Sequence, residues 1–265
     1  MPKDSSDPKL KVASIQMCPT FKDKMANIKR LIPMIVKAAK AGAKLIILPE
    51  LCTTGYGFMS ETEAAPFSEP LTDDFSLIIR PDSPHYTQAV MMRIARLYNV
   101  TIVWGMMEVD PESGDLHNSV VLMSPDEIHV VRKINPFGND YIWSRPGTEP
   151  PPIIESKHLG KTIGLLVCRD VRNKSEDLDK FYTDSGKRHV DIVCLCANWG
   201  DGGFPATAWM DFVRNTKSNL VVSNRYGYEC PNDFGEGGAC IITSDMRVQC
   251  EGLVWSQDCI VVGEI

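Results

Sequence analysis

Short, unbroken apolar runs alternate along this chain with stretches whose apolar residues recur at helical spacing. The runs at 11–17, 44–48, 100–109, 117–123, 128–134, 163–167, 190–197, 220–223, 239–243, 247–252 and 260–265 predict strands. Between the first two, Ile28, Leu31, Ile32, Ile35, Val36 and Ala39 mark one face of a helix, which Pro33 is expected to kink and Gly42 to end. Residues 86–99 and 206–218 predict two more helices, the latter with Trp209, Phe212 and Val213 on one face, and the polar segment 175–186 a further one. Strand–helix–strand alternation of this kind predicts an α/β fold. The sequence Ser124-Pro125-Asp126-Glu127 between two strands predicts a hairpin, so the sheet is expected to be mixed. Residues 60–84, rich in proline and acid and without period, predict a long loop or lid. Residues 1–10 read as a disordered polar tail, which leaves 11–265 as a single domain.

Three of the strands stop at a side chain that carries chemistry. The run at 44–48 ends in Pro49-Glu50, the run at 128–134 carries Lys133, and the run at 163–167 ends at Cys168. In open α/β sheets, ligands bind just beyond the carboxyl ends of strands. Taken singly, Glu50 reads equally as a capping acid, Lys133 as a solvated charge and Cys168 as the last small residue of a core strand. Brought together, a carboxylate, an ammonium and a thiol form a base, an oxyanion stabiliser and a nucleophile. Arg169 and Arg172 follow Cys168, and positive charge there is expected to hold the sulfur partly as thiolate. None of the five histidines ends a buried strand in such a loop, which weakens a Cys–His arrangement, and no metal-ligand spacing or cofactor motif is present. The Phe234-Gly235-Glu236-Gly237-Gly238 loop lacks the spacing of a nucleotide-binding loop.

Composition narrows the setting. The hydrophobic share of 43% and charged share of 23% are those of an ordinary globular protein. A net charge of -6 and the lack of a long basic block argue against nucleic acid as a partner. The 9 scattered cysteines, the polar N-terminus and the absence of an apolar stretch of spanning length predict free thiols in a reducing cytoplasm, away from membranes.

The motifs resemble those of the nitrilase, or carbon–nitrogen hydrolase, superfamily. Residues 48–56 (LPELCTTGY), 131–137 (VRKINPF) and 164–172 (GLLVCRDVR) resemble its glutamate, lysine and cysteine motifs, in that order, with supporting matches at 196–199, 209–227 and 237–243. The resemblance implies a four-layer α-β-β-α sandwich, assembled as a homodimer or larger. It implies hydrolysis of a small amide or nitrile through a thioester or thioimidate, with no cofactor or metal. Carried onto this chain, Glu50 is the general base, Lys133 the oxyanion donor and Cys168 the nucleophile, with the backbone N–H of Arg169 as second donor. Asn198, Trp199 and Tyr56 fall on the substrate side. Nitrile-cleaving branches carry Trp-Glu after the cysteine, whereas Arg169-Asp170 here leans toward an amide, with an N-carbamoyl amino acid as the alternative. No glutamate lies between Lys133 and Pro146, so Asp140 stands for the second glutamate usual in that loop and is expected on the substrate-binding side. The Arg169 side chain is expected either to meet a substrate carboxylate or to hold Asp170.

Overall fold

The computed structural model describes residues 9–172, 190–200, 203–250 and 256–265. The predicted tail, apart from Lys9 and Leu10, and the predicted helix at 175–186 lie outside them. The first half of the chain supplies β1 (Lys11–Gln16), β2 (Leu45–Ile47), β3 (Thr101–Val109), β4 (Leu116–Met123) and β5 (Ile128–Arg132). The second half supplies β6 (Ile154–Ser156), β7 (Lys161–Val167), β8 (Ile192–Ala197), β9 (Asn219–Asn224), β10 (Tyr228–Glu229), β11 (Asn232–Asp233), β12 (Cys240–Ile242), β13 (Val248–Gln249) and β14 (Cys259–Glu264). The helices are α1 (Lys24–Lys40), α2 (Glu61–Ala64), α3 (Tyr86–Tyr98), α4 (Asp140–Trp143) and α5 (Thr207–Thr216).

Twelve of these strands form two six-stranded sheets, ordered β14-β1-β2-β3-β4-β5 and β13-β12-β9-β8-β7-β6, and β10 and β11 pair separately. Both are mixed: β1, β2 and β3 run parallel, as do β7, β8 and β9, and the flanking strands pair antiparallel. Successive side chains on a strand point to opposite faces, and the first sheet sorts its residues accordingly. Leu45, Ile47, Val103, Val120 and Leu122 pack into the core shared with the second sheet. Their neighbours Ile46, Ile102, Trp104, Val121 and Met123 pack outward against α1 and α3. The second sheet carries Trp209, Phe212 and Val213 of α5 on its own outer side. The layers therefore run α-β-β-α, as the resemblance implied. Hydroxyl groups stitch β1 to β9 across the sandwich: Ser14 donates to the Val222 carbonyl (2.5 Å) and Ser223 to that of Ile15.

Several details depart from the expectations. Helix α1 continues past Pro33, which lies on its exposed face, where the carbonyl deprived of a helical partner is not forced into the core. Segment 60–84 is not uniformly irregular. Ser60 accepts from the Glu63 N–H (3.1 Å) and opens α2, a capping signal present in the sequence as S-x-x-E. The segment is also tied to the sheet through Glu69, which pairs with Glu108 and takes the Thr87 N–H and hydroxyl. The β10–β11 hairpin was not foreseen; a two-residue strand carries too little pattern to be read. Leu10, assigned to the tail, exchanges backbone bonds with Ile265 (2.9 and 3.0 Å). Among the described residues no helix is long and apolar enough to cross a membrane, and no group of three or more candidate metal ligands is present.

One close approach fixes the start of the site. The chain turns sharply after β2, with Leu51 at φ 47, and crosses directly over Gly105 of β3. A Cβ at position 105 would lie 2.5 Å from Glu50 Cα and 2.7 Å from Leu51 N. Gly105→Ala is therefore expected to destabilise the fold by about 1–3 kcal/mol through overpacking against backbone, measured by urea unfolding. An unchanged midpoint would contradict this account of the turn.

Candidate active site

Lys133 follows β5 directly and its side chain is buried among acids. Its Nζ donates to Glu50 Oε1 (2.7 Å) and to Asp140 Oδ2 (2.6 Å). From β4, Asn118 donates to the same two carboxylates, Glu50 Oε1 at 2.7 Å and Asp140 Oδ1 at 3.0 Å. Asp140, at the head of α4, also accepts from the Phe137 N–H (3.1 Å). Glu50 and Asp140 are fully buried and Lys133 is 3% exposed. Every oxygen of the two carboxylates is engaged except Glu50 Oε2, which is buried without a partner among the described residues. Burial pushes Glu50 above the usual carboxylate range; Lys133 pulls it back, and Asp140 pushes it up again. Lys133 is held well above its ordinary value: burial works against its charge, but the carboxylates of Asp140 and Glu50 prevail.

Asn118 was not singled out from sequence. Its signal was the polar triplet His117-Asn118-Ser119 opening an otherwise apolar strand. Asp140 is brought to Lys133 but does not line the cavity beside Cys168. It stands behind the lysine, so its expected place on the substrate-binding side is corrected: both of its oxygens are taken by protein donors.

Cys168 does not end β7 as a strand residue. It heads a short 3₁₀ turn, Cys168–Arg172, with φ 45. A non-glycine residue in the left-handed region costs about 1–3 kcal/mol and persists only where its surroundings enforce it. Here Asp170 ties the turn down, accepting from the N–H groups of Asn135 (2.9 Å) and Val167 (3.3 Å). Burial raises Asp170 to about 7. The thiolate expected from the neighbouring arginines is not favoured. Burial pushes the Cys168 thiol up, the Glu50 carboxylate adds to this, and neither Lys133 nor the Asn198 N–H reverses it. The guanidinium groups of the two arginines are set against aromatic rings at the cavity: Arg169 is exposed with its guanidinium 5.2 Å from the Phe137 ring, and that of Arg172 lies 4.4 Å from the Trp199 ring.

A cavity of about 210 Å³ joins these groups, lined by Glu50, Lys133 and Cys168 on one side and by Tyr56, Phe137, Trp199 and Phe234 among the others. Asn198 and Arg169 also line it. The Asn198 carboxamide nitrogen donates to the carbonyls of Glu50 (3.1 Å) and Ala197 (3.3 Å), which fixes the wall between β2 and β8. The Tyr56 hydroxyl donates to the Phe137 carbonyl, and its ring meets Phe234 edge-on at 5.7 Å. Among the described residues no histidine reaches the cavity. The arrangement can present a carbonyl or nitrile carbon to sulfur beside one unoccupied carboxylate oxygen and one ammonium.

Known proteins resemble this one in sequence and in fold. The sequence matches the carbon–nitrogen hydrolase family over residues 11–265. It is 30% identical over 195 residues to a nitrilase of Pyrococcus abyssi, covering 71% of this chain and 65% of that protein. It is 25% identical over 298 residues to the protein N-terminal amidase of Schizosaccharomyces pombe, covering 97% of this chain and 99% of the other. The chain spans 56–65% of the length of the first curated relatives it matches. Its fold superposes on the amidase of Nesterenkonia sp. AN1, solved with acrylamide added to its active-site cysteine. The TM-score is 0.75 at 18% identity, covering 97% of this chain and 93% of that one. With the fold, the three motifs and the family match in agreement, the chain belongs to the carbon–nitrogen hydrolase family.

Proposed function

We propose that this protein hydrolyses the carbon–nitrogen bond of a small amide through a thioester on Cys168, with release of ammonia. The observation that carries the reading is the unengaged buried oxygen of Glu50. Oε1 is saturated by Lys133 and Asn118, and Oε2 has no partner among the described residues while its carboxylate lines the cavity that holds the thiol. A neutral thiol needs a base at the moment of attack, and a buried carboxylate of raised proton affinity suits the task.

In this reading Cys168 sulfur bonds to the amide carbon as its proton passes to Glu50 Oε2. The carbonyl π electrons move onto oxygen, where the Lys133 ammonium and the Arg169 backbone N–H receive them; one such donor is worth about 3 kcal/mol. The tetrahedral adduct collapses, the C–N bond breaks, and the nitrogen leaves as ammonia with the proton from Glu50. Water then gives a proton to Glu50 and attacks the thioester. Collapse of that adduct returns the proton to sulfur and frees the acid. A homodimer, which the family resemblance implies, is part of the proposal.

Arg169-Asp170 after the cysteine supports an amide over a nitrile. A second reading, an N-carbamoyl amino acid releasing ammonia and carbon dioxide, is favoured by one observation: Asp170 is satisfied by backbone N–H groups, and the Arg169 guanidinium stands at the cavity instead.

Ammonia release from a panel of short aliphatic amides, N-carbamoyl amino acids and nitriles is expected to rank the amides first. Cys168→Ala should abolish turnover and Glu50→Gln should lower it about 10²–10⁴-fold, both with unchanged circular dichroism. Full turnover in Cys168→Ala would end the proposal. The acid limb of the kcat/KM profile should lie above the ordinary carboxylate range, because Glu50 must be ionised to act and burial raises it. Asp140→Asn removes a neighbouring negative charge that pushes Glu50 up and leaves Lys133 more fully to Glu50. The limb should therefore move to lower pH; movement to higher pH would contradict the assignment.

A further inference from the structure

A second buried ion pair stands behind the opposite wall of the cavity and touches none of the groups assigned to chemistry. Arg225 follows β9 and is completely buried; Glu229, in β10, is 7% exposed. The Arg225 Nη1 donates to Glu229 Oε2 at 3.0 Å. The other oxygen, Glu229 Oε1, accepts two consecutive backbone N–H groups, Tyr56 at 2.7 Å and Gly57 at 2.5 Å. The carboxylate thus reaches across from the second half of the chain to the loop that leaves Glu50. That loop is cut to admit it. A Cβ at Gly55 would lie 2.6 Å from Glu229 Oε2, and one at Gly57 3.1 Å from Oε1.

The arginine holds the next wall residue. Its guanidinium lies 4.2 Å from the Phe234 ring, and its Nη2 donates to Cys18 Sγ at 3.6 Å. Phe234 in turn meets Tyr56 edge-on, and Tyr56 bonds the carbonyl of Phe137. One ion pair therefore sets three aromatic residues of the cavity, Tyr56 by its backbone, Phe234 by its face and Phe137 through Tyr56. The chemical groups are fixed from the other side, by Asn118 and Asp140.

We propose that Arg225–Glu229 is a positioning pair for substrate: it fixes the aromatic wall and so governs how tightly the non-reacting part of the substrate is held. The pair touches no reacting atom. This rests on the reading of Cys168 as the reactive thiol. The wall meets the chemical groups through the Phe137 N–H on Asp140, at the far end of the chain of contacts from the ion pair, so disturbing the pair weakens binding more than it slows the chemical step.

The test uses Cys168 alkylation under saturating conditions, mapped by peptide mass spectrometry because the chain holds 9 cysteines. Two probes differ only in their tail: iodoacetamide, and iodoacetanilide with a phenyl ring to lay against the wall. In Glu229→Gln a weaker neutral acceptor replaces the carboxylate and the charge pair is lost. The half-saturating concentration of iodoacetanilide should then rise about tenfold, since small misplacements far from the chemistry carry such effects. Its limiting rate, and the rate with iodoacetamide, should change less than about threefold. A pair that merely supported folding would lower the alkylatable fraction and leave the half-saturating concentration alone; that result overturns the proposal. Gly57→Ala, which only crowds Glu229 Oε1, should give the same pattern more weakly and serves if Glu229→Gln fails to fold. Hydrogen exchange at the Tyr56 and Gly57 amides should quicken in both variants by more than at amides remote from the pair. Unaltered exchange there would also overturn the proposal. A wild-type Cys168 inert to both probes would instead overturn the hydrolase reading, and the exchange data would still decide the pair.

Discussion

Everything at this site depends on a lysine buried between two carboxylates. Removing one partner of such a buried group typically costs about 3–5 kcal/mol, because it strands the other charge away from water. Lys133 therefore ties the loop after β2 to the head of α4, and Asn118 repeats the tie with neutral donors. Two carboxylates and one ammonium leave the cluster one negative charge in excess, buried where bulk solvent cannot spread it. Burial is the main cause of the raised proton affinity of Glu50, and the negative charge of Asp140 adds to it against the pull of Lys133.

The sulfur is handled by the opposite device. Cys168 receives little direct electrostatic help, its thiol is pushed up by burial, and it is presented to the cavity by a backbone conformation that ordinary residues avoid. Both turns that carry reacting groups place a non-glycine residue at positive φ, Leu51 beside Glu50 and Cys168 itself. Each is offset by tight local packing or bonding: Gly105 beneath the first turn, Asp170 within the second. Local strain enforced by its surroundings is the expected signature of a functional position.

The strands, their mixed pairing and the meeting of Glu50, Lys133 and Cys168 at one cavity were legible because buried strands leave runs of apolar residues that stop at these side chains. What stayed hidden was polar and long-range. Asn118 is one asparagine in a strand until Glu50 and Asp140 arrive from distant segments. Arg225 and Glu229 look like solvated charges in sequence and prove to be buried, with Glu229 bonded to a loop from the first half of the chain. The electrostatic setting of Cys168 stayed hidden for the same reason. Adjacent arginines in sequence suggested a thiolate, but their guanidinium groups lie over Phe137 and Trp199. Asp140 was correctly drawn to the neighbourhood of Lys133 but assigned to the wrong side of it.

The central claim is that Cys168 rests as a neutral thiol beside an ionised Glu50 and loses its proton only as it attacks. The most direct measurement is the ultraviolet thiolate absorbance of the resting protein, taken as the difference between wild type and Cys168→Ala across the pH range. No difference is expected at neutral pH, with a Cys168-dependent signal emerging only in strong alkali. A difference already present at neutral pH would mean a preformed thiolate, and would contradict the role of Glu50 as the base that takes the thiol proton.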